Sequence, residues 1–310
     1  MKAQQVSELS GPAAMSSADV PEPSGPVLID VQYAGVSFPD VLLTRGRYQI
    51  KPPLPFIPGS EVSGVVRTDG HGFQAGDRVA AFPGLGGFAQ TVAADPRMVF
   101  RLPDSFPLQA AAALPMNYFT VHFALQRRAH LRAGQTVLVQ GAAGGVGTAA
   151  IQVAKALGAH VIAVVSSEAK QETARRAGAD EVVLAQGFRQ TVGQRVDVVV
   201  DPVGGDRFTD SLRCLAPEGQ LLVIGFTAGE IPTVKVNRLL LNNISVVGVG
   251  WGAFWLARPD YLQEQWQELL PLLDGVDPVI DAIHDLDDAP AALAALDERR
   301  VQGKVLLRVR

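Results

Sequence analysis

Gly141, Gly144 and Gly147 recur every third residue in the segment GAAGGVG, between the apolar run Thr136–Gln140 and a helical stretch. Glycine there answers three physical demands. The turn must be tight, the backbone must approach a pyrophosphate closely, and the new helix must pack hard against its strand. The N–H groups of Gly145, Val146 and Gly147, with Ala143 on the turn, would face phosphates at the positive end of that helix. A bulky side chain at Gly144 or Gly147 is expected to collide with the pyrophosphate. The chemistry implied is the holding of a dinucleotide.

The next strand, His160–Val165, says which dinucleotide. An NAD site calls for an acid at its end, about 20 residues past the glycines, to bind the adenosine ribose. Here Val165 is followed by Ser166 and Ser167, and the first carboxylate is Glu168. Lys170, Arg175 and Arg176 follow. Hydroxyls and a cation in place of the acid suit the 2′-phosphate of NADPH, so Ser166, Ser167 and Lys170 are expected contacts.

Composition bounds the rest. The 310 residues are 47% hydrophobic and carry a net charge of −4, enough chain for two cores and no basic face for nucleic acid. A single cysteine, Cys214, excludes a disulfide framework and reads as a buried small hydrophobe. The five histidines at 71, 122, 130, 160 and 284 show no ligand spacing, so no metal site is expected. With no basic leader and no run of 18 apolar residues, a soluble cytoplasmic protein without membrane contact is expected.

Two textures must position these residues. Residues 1–114 carry short strand-like runs (27–33, 61–67, 78–82, 88–92) broken by proline and glycine, the pattern of an antiparallel barrel or sandwich. Residues 115–250 alternate strand and helix, with strands at Thr136–Gln140, His160–Val165, Glu181–Leu184, 197–201, 220–225 and 244–249. That alternation makes an α/β doubly wound parallel sheet. Residues 251–310 are read as a return segment completing the first domain, with a short helix at 289–298 and a closing strand at 304–309.

Seven motifs carry a resemblance over nearly the whole chain: AGVSFPD at 34–40, RGRY at 45–48, PPLPFIPGSEVSG at 52–64, GDRV at 76–79, GAAGGVG at 141–147, DVVVDPVGG at 197–205 and GKVL at 303–306. In these the chain resembles the zinc-independent quinone oxidoreductases of the medium-chain dehydrogenase/reductase superfamily. The resemblance implies a GroES-like β-barrel catalytic domain, a Rossmann NADP-binding domain and a homodimer formed edge to edge through the strand from Ile244 to Val249. It also separates the chain from the zinc branch. Ser37 stands in the stretch where the first zinc ligand would fall, and Ser60 stands before Glu61 where a histidine would be.

Chemistry without a metal rests on positioning, shielding from water and hydrogen bonds to the oxygen that gains charge. The family pattern places this in an interdomain cleft. It points to Ser37, Phe38, Asp40 and Tyr48 on the barrel side, and to Asn117, Thr120, Asp201, Val203, Gly225, Phe226 and Thr227 on the nucleotide side. Ser37, Asp40 and Thr120 are the expected positioning residues for catalysis. Many relatives have Asn in place of Ser37, and better-known ones have Tyr in place of Leu42. The expected activity is hydride transfer from NADPH to a quinone or related α,β-unsaturated carbonyl compound. Reduction of an enoyl thioester or other activated alkene is the alternative within enzymes. An NADPH-binding sensor or scaffold with little turnover is the alternative of another class.

Overall fold

β-Branched residues dominate the apolar runs of this chain, and their stiff side chains favour strands wherever both faces can be covered. The computed structural model describes residues 1–310 and divides into two units. One comprises residues 1–116, 259–263 and 280–310, the other residues 117–258 and 264–279.

The first unit opens with an antiparallel hairpin of β1 (Lys2–Val6) and β2 (Met15–Asp19). There follow β3 (Val27–Val36), helix α1 (Phe38–Thr44), β4 (Glu61–Val66), β5 (Arg78–Ala81), β6 (Thr91–Ala94), β7 (Val99–Arg101) and helix α2 (Leu108–Ala112). Val31, Val62, Phe88 and Val92 form its core together with Leu293 and Val305 of the tail.

The second unit begins along helix α3 (Pro115–His122) and continues with β8 (Thr136–Gln140), helix α4 (Gly145–Ala156), β9 (His160–Val165), β10 (Glu181–Leu184), β11 (Val196–Asp201), β12 (Leu215–Val223) and β13 (Ser245–Gly248). Its sheet runs β10-β9-β8-β11-β12-β13, and every pair is parallel. Strand order reverses between β8 and β11, the switch point outside whose carboxyl ends ligands bind in such sheets.

The chain closes with β14 (Ile280–Asp285), a helix at Ala289–Asp297 and β15 (Lys304–Arg308). β15 pairs with β3 antiparallel and with β14 in parallel, completing a seven-stranded sheet. The return segment therefore begins later than expected. Residues 251–258 and 264–279 belong to the second unit. The Trp251 indole donates to Gln265 at 3.0 Å, the Gln265 amide donates to the Phe119 carbonyl at 2.6 Å, and Trp266 lies 6.0 Å from the Phe119 ring. Aromatic area of this size stabilises where it is buried, whatever the texture of the surrounding sequence. No helix is long and apolar enough to cross a membrane.

Candidate active site

The glycine turn leaves β8 where expected, but its three glycines do different work. Gly141 has φ +60°, a left-handed conformation that glycine adopts without penalty. A Cβ there would also lie 2.9 Å from Val203 of the turn after β11. A Cβ at Gly147 would overlap the Gly141 carbonyl oxygen and lie 2.6 Å from the Ala142 Cα. This corrects the sequence expectation: a side chain at Gly147 strikes the protein's own turn. Gly144 is the opposite case. Its φ of −88° and ψ of 174° suit any residue, and a Cβ would meet only the Gly141 oxygen at 3.4 Å. The protein leaves the space at Gly144 largely unfilled.

Gly144 is the N-cap of α4, and no side chain caps that helix. The first-turn N–H groups of Gly145, Val146 and Gly147 therefore rely on an outside acceptor such as an anion. The residues present fit a dinucleotide phosphate.

Because neighbouring strands are parallel, the turns that follow them share one edge of the sheet. Ser166 and Ser167 follow β9, are exposed, and lead into a short 3₁₀ turn ending at Lys170. Asp201, buried at the end of β11, accepts from the N–H groups of Val203 at 2.8 Å and Gly204 at 2.9 Å. Burial raises its carboxyl above the ordinary range, and these two donors act against the rise. Asp201 thus shapes its turn from within. The segment after β12 packs on that turn: the Thr227 N–H donates to the Pro202 carbonyl at 3.1 Å, and the Ala228 N–H to the Val203 carbonyl at 2.9 Å. Gly225, Phe226 and Thr227 are thereby gathered with Gly141 and Val203 around the switch point. Asn117 and Thr120 lie on α3, three residues apart and so on one face.

Ser37 and Asp40 belong to the first unit. Ser37 precedes α1 as its N-cap, and the Asp40 Oδ2 reaches back to accept from the Ser37 N–H at 2.9 Å. The other oxygen of Asp40 accepts from the Gly59 N–H at 3.2 Å. Asp40 is fully buried. Desolvation pushes its carboxyl up to about 7, although the Ser37 N–H and the Lys304 charge favour the ionised form. Tyr48 is raised by burial first and by the Asp40 charge second.

Sequence reading missed the partners of Ser37. Its Oγ lies 2.7 Å from Glu61 Oε1 and 2.7 Å from Lys304 Nζ, and Lys304 is also ion-paired with Glu61. The second Glu61 oxygen accepts from the Met116 N–H at 2.8 Å. Gly35 leaves room for this carboxylate, since a Cβ there would sit 2.7 Å from the Glu61 side chain. Strand register explains the meeting. Val305 lies opposite Val36 and Gly35 opposite Glu61, so the first residues of β15 and β4 converge on the end of β3. The available signal was a lysine opening an apolar run, KVLL, that needs cover on both faces. The hydroxyl of Ser60, the residue before Glu61, is buried without a hydrogen-bond partner. No cluster of three or more His, Cys, Asp or Glu side chains able to hold a metal occurs.

Comparison with known proteins gives the chain's relatives. Residues 23–104 match the family described as alcohol dehydrogenase GroES-like domain, and residues 145–275 match zinc-binding dehydrogenase. The chain is 38% identical over 302 residues to quinone oxidoreductase-like protein 2 of Bos taurus, covering 93% of this chain and 86% of that one. A probable oxidoreductase from Mycobacterium abscessus superposes with a TM-score of 0.90 at 45% identity, covering 100% of this chain and 99% of that one. The quinone oxidoreductase of Thermus thermophilus, solved also as its complex with NADPH, gives 0.86 at 35% identity and covers 100% of both chains.

Proposed function

The chain belongs to the quinone oxidoreductase family of the medium-chain dehydrogenase/reductase superfamily, and from that membership we propose an NADPH-dependent reductase of quinones or related α,β-unsaturated carbonyl compounds. The observation that carries this reading is the cradle at Gly144, open above an uncapped α4, with Ser166, Ser167 and Lys170 following the neighbouring strand. Reduced nicotinamide supplies hydride when bound. The chain's own part is to bind the pyrophosphate at the α4 N-terminus and the 2′-phosphate beyond β9, and to present the substrate without water. A screen of NADPH oxidation against quinones, enones and enoyl thioesters tests the function. Turnover with a quinone or enone is expected; no acceptor rising above the uncatalysed rate would overturn it.

The cofactor preference rests on Lys170. A charge-assisted contact contributes about 1.5–3 kcal/mol, and the partial exposure of Lys170 places this one at the lower end. Lys170→Ala is therefore expected to weaken NADPH about ten-fold and to leave NADH unchanged, as read by fluorescence titration. Equal affinity of the wild-type protein for both cofactors would exclude this role.

The reaction is proposed to need no metal, because Ser37 and Ser60 stand in the stretches where zinc ligands would fall and no ligand cluster replaces them. Exhaustive chelation is expected to leave turnover and melting temperature unchanged, and one zinc per purified chain would contradict the proposal.

Homodimerisation is proposed through β13. That strand is hydrogen-bonded to β12 on one side and ends the sheet on the other. Nearby, Leu240 and Leu241 are 77% and 75% exposed, with Val236 and Ile231 also outside. An open strand edge beside such an apolar group is a template for a second copy. Leu240→Asp with Leu241→Asp is expected to turn a sedimenting dimer into a monomer of unchanged fold. A wild-type protein that sediments as a monomer at micromolar concentration would refute the dimer.

A further inference from the structure

We propose that the side-chain amide of Asn117 is a catalytic hydrogen-bond donor, its Nδ2 meeting the carbonyl oxygen of the conjugated acceptor as that oxygen gains negative charge. The inference rests on the proposed reading of the chain as a quinone or enone reductase. Asn117 is 6% exposed, yet neither the oxygen nor the nitrogen of its amide has a hydrogen-bond partner in the protein, and both stay open to solvent. Buried side-chain amides are as a rule hydrogen-bonded, so one that the protein leaves unpartnered calls for a partner from outside.

The rest of α3 is tied down. Tyr118 donates to Gln152 of α4, and the Gln152 amide donates to the Asp277 carbonyl at 2.7 Å. The Phe119 ring lies 6.0 Å from Trp251 and from Trp266, and the buried His122 ring lies 3.4 Å from the Gln265 amide. Successive helical residues turn by about 100°, which sets Tyr118, Phe119 and His122 on one half of α3 and Asn117 on the other. Asn117 also follows Met116, whose N–H is held by Glu61 beside Ser37.

Of the residues expected to position the substrate, Ser37 and Asp40 are already engaged. Ser37 Oγ is held by Glu61, Lys304 and the capping box of α1, and each Asp40 oxygen accepts one N–H. When hydride from NADPH bonds to a carbon of the acceptor, an electron pair passes through the conjugation to the carbonyl oxygen. NADP⁺ remains, and water supplies the proton that completes the product. Asn117 stabilises the charge by its N–H and transfers no proton.

Equilibrium binding tests the donor apart from turnover. 4-Nitrophenolate carries a charged oxygen on its ring, and 4-nitrotoluene has a similar shape without it. Both are titrated by calorimetry into NADP⁺-loaded protein at a pH where the phenol is ionised. The wild type is expected to prefer the phenolate. Asn117→Leu is expected to weaken the phenolate about ten-fold and to leave 4-nitrotoluene within about two-fold, the size of one hydrogen bond to a charged group. In turnover its kcat and kcat/KM are expected to fall together by about a hundred-fold, with KM and NADPH affinity kept. Asn117→Ala decides the same points if the leucine variant does not fold. A wild type without preference for the phenolate, a folded variant that binds both rings as the wild type does, or a loss of NADPH affinity in place of phenolate affinity would overturn the proposal. If no quinone or enone is reduced, the functional reading fails by itself, and the phenolate titration still decides whether Asn117 is a donor.

Discussion

Gly147→Val is expected to destabilise the nucleotide unit by about 3 kcal/mol and to abolish NADPH binding as a consequence, because the added carbons meet main chain that cannot turn aside. Gly144→Val is expected to abolish NADPH binding as completely while changing stability by less than about 1 kcal/mol. Its backbone already lies in the extended region and an added Cβ meets only the Gly141 oxygen, at 3.4 Å. Melting without ligand, followed by NADPH titration of each folded variant, separates the two effects. A Gly147→Val protein that melts with the wild type would show that the turn yields, and a Gly144→Val protein that binds NADPH normally would remove the cradle from the site.

Asp40 should give the protein a pH-dependent stability of unusual sign for a carboxyl. Its folded value near 7 stands above the ordinary 3.8, raised chiefly by burial. Below pH 3.8 both states hold the proton and nothing is lost. As pH rises towards 7 the unfolded chain has released its proton while the folded chain keeps it, so stability falls. Above 7 the full cost of the buried charge is present, on the order of 4 kcal/mol from about three pH units. Asn has the shape of the neutral acid. Its amide nitrogen cannot accept from the Ser37 or Gly59 N–H as both acid oxygens do, so Asp40→Asn should be less stable than the wild type near pH 4 and gain on it steadily to pH 8, as followed by denaturant titration. A stability difference flat across that range would show that Asp40 ionises without penalty.

The two predictions rest on features of different legibility. Gly141, Gly144 and Gly147 announce a turn through type and spacing, and the distinct reasons for glycine appear only once the chain has folded back on Ala142 and Val203. Asp40 is expected as a site residue by resemblance alone, and its elevated carboxyl depends on burial, which no short window of sequence reports. The hairpin of β1 and β2 passed unread because KAQQV and MSSAD are polar and lack a sustained alternation.

Local hydrophobic patterning determined the parallel sheet, since buried parallel strands read as unbroken apolar runs and Val198, Val199 and Val200 can hardly be anything else. Residue type and spacing likewise determined the glycine turn at 141–147 and the absence of an acid at Val165. Tertiary structure alone decided the environment of Ser37. Lys304 is 267 residues away in sequence and arrives through the antiparallel pairing of β15 with β3, while Glu61 arrives through β4. The physical reason is range. Turn geometry and apolar periodicity act over a few residues, whereas the direction of a hydroxyl proton is set by charges that only long-range register brings within 3 Å.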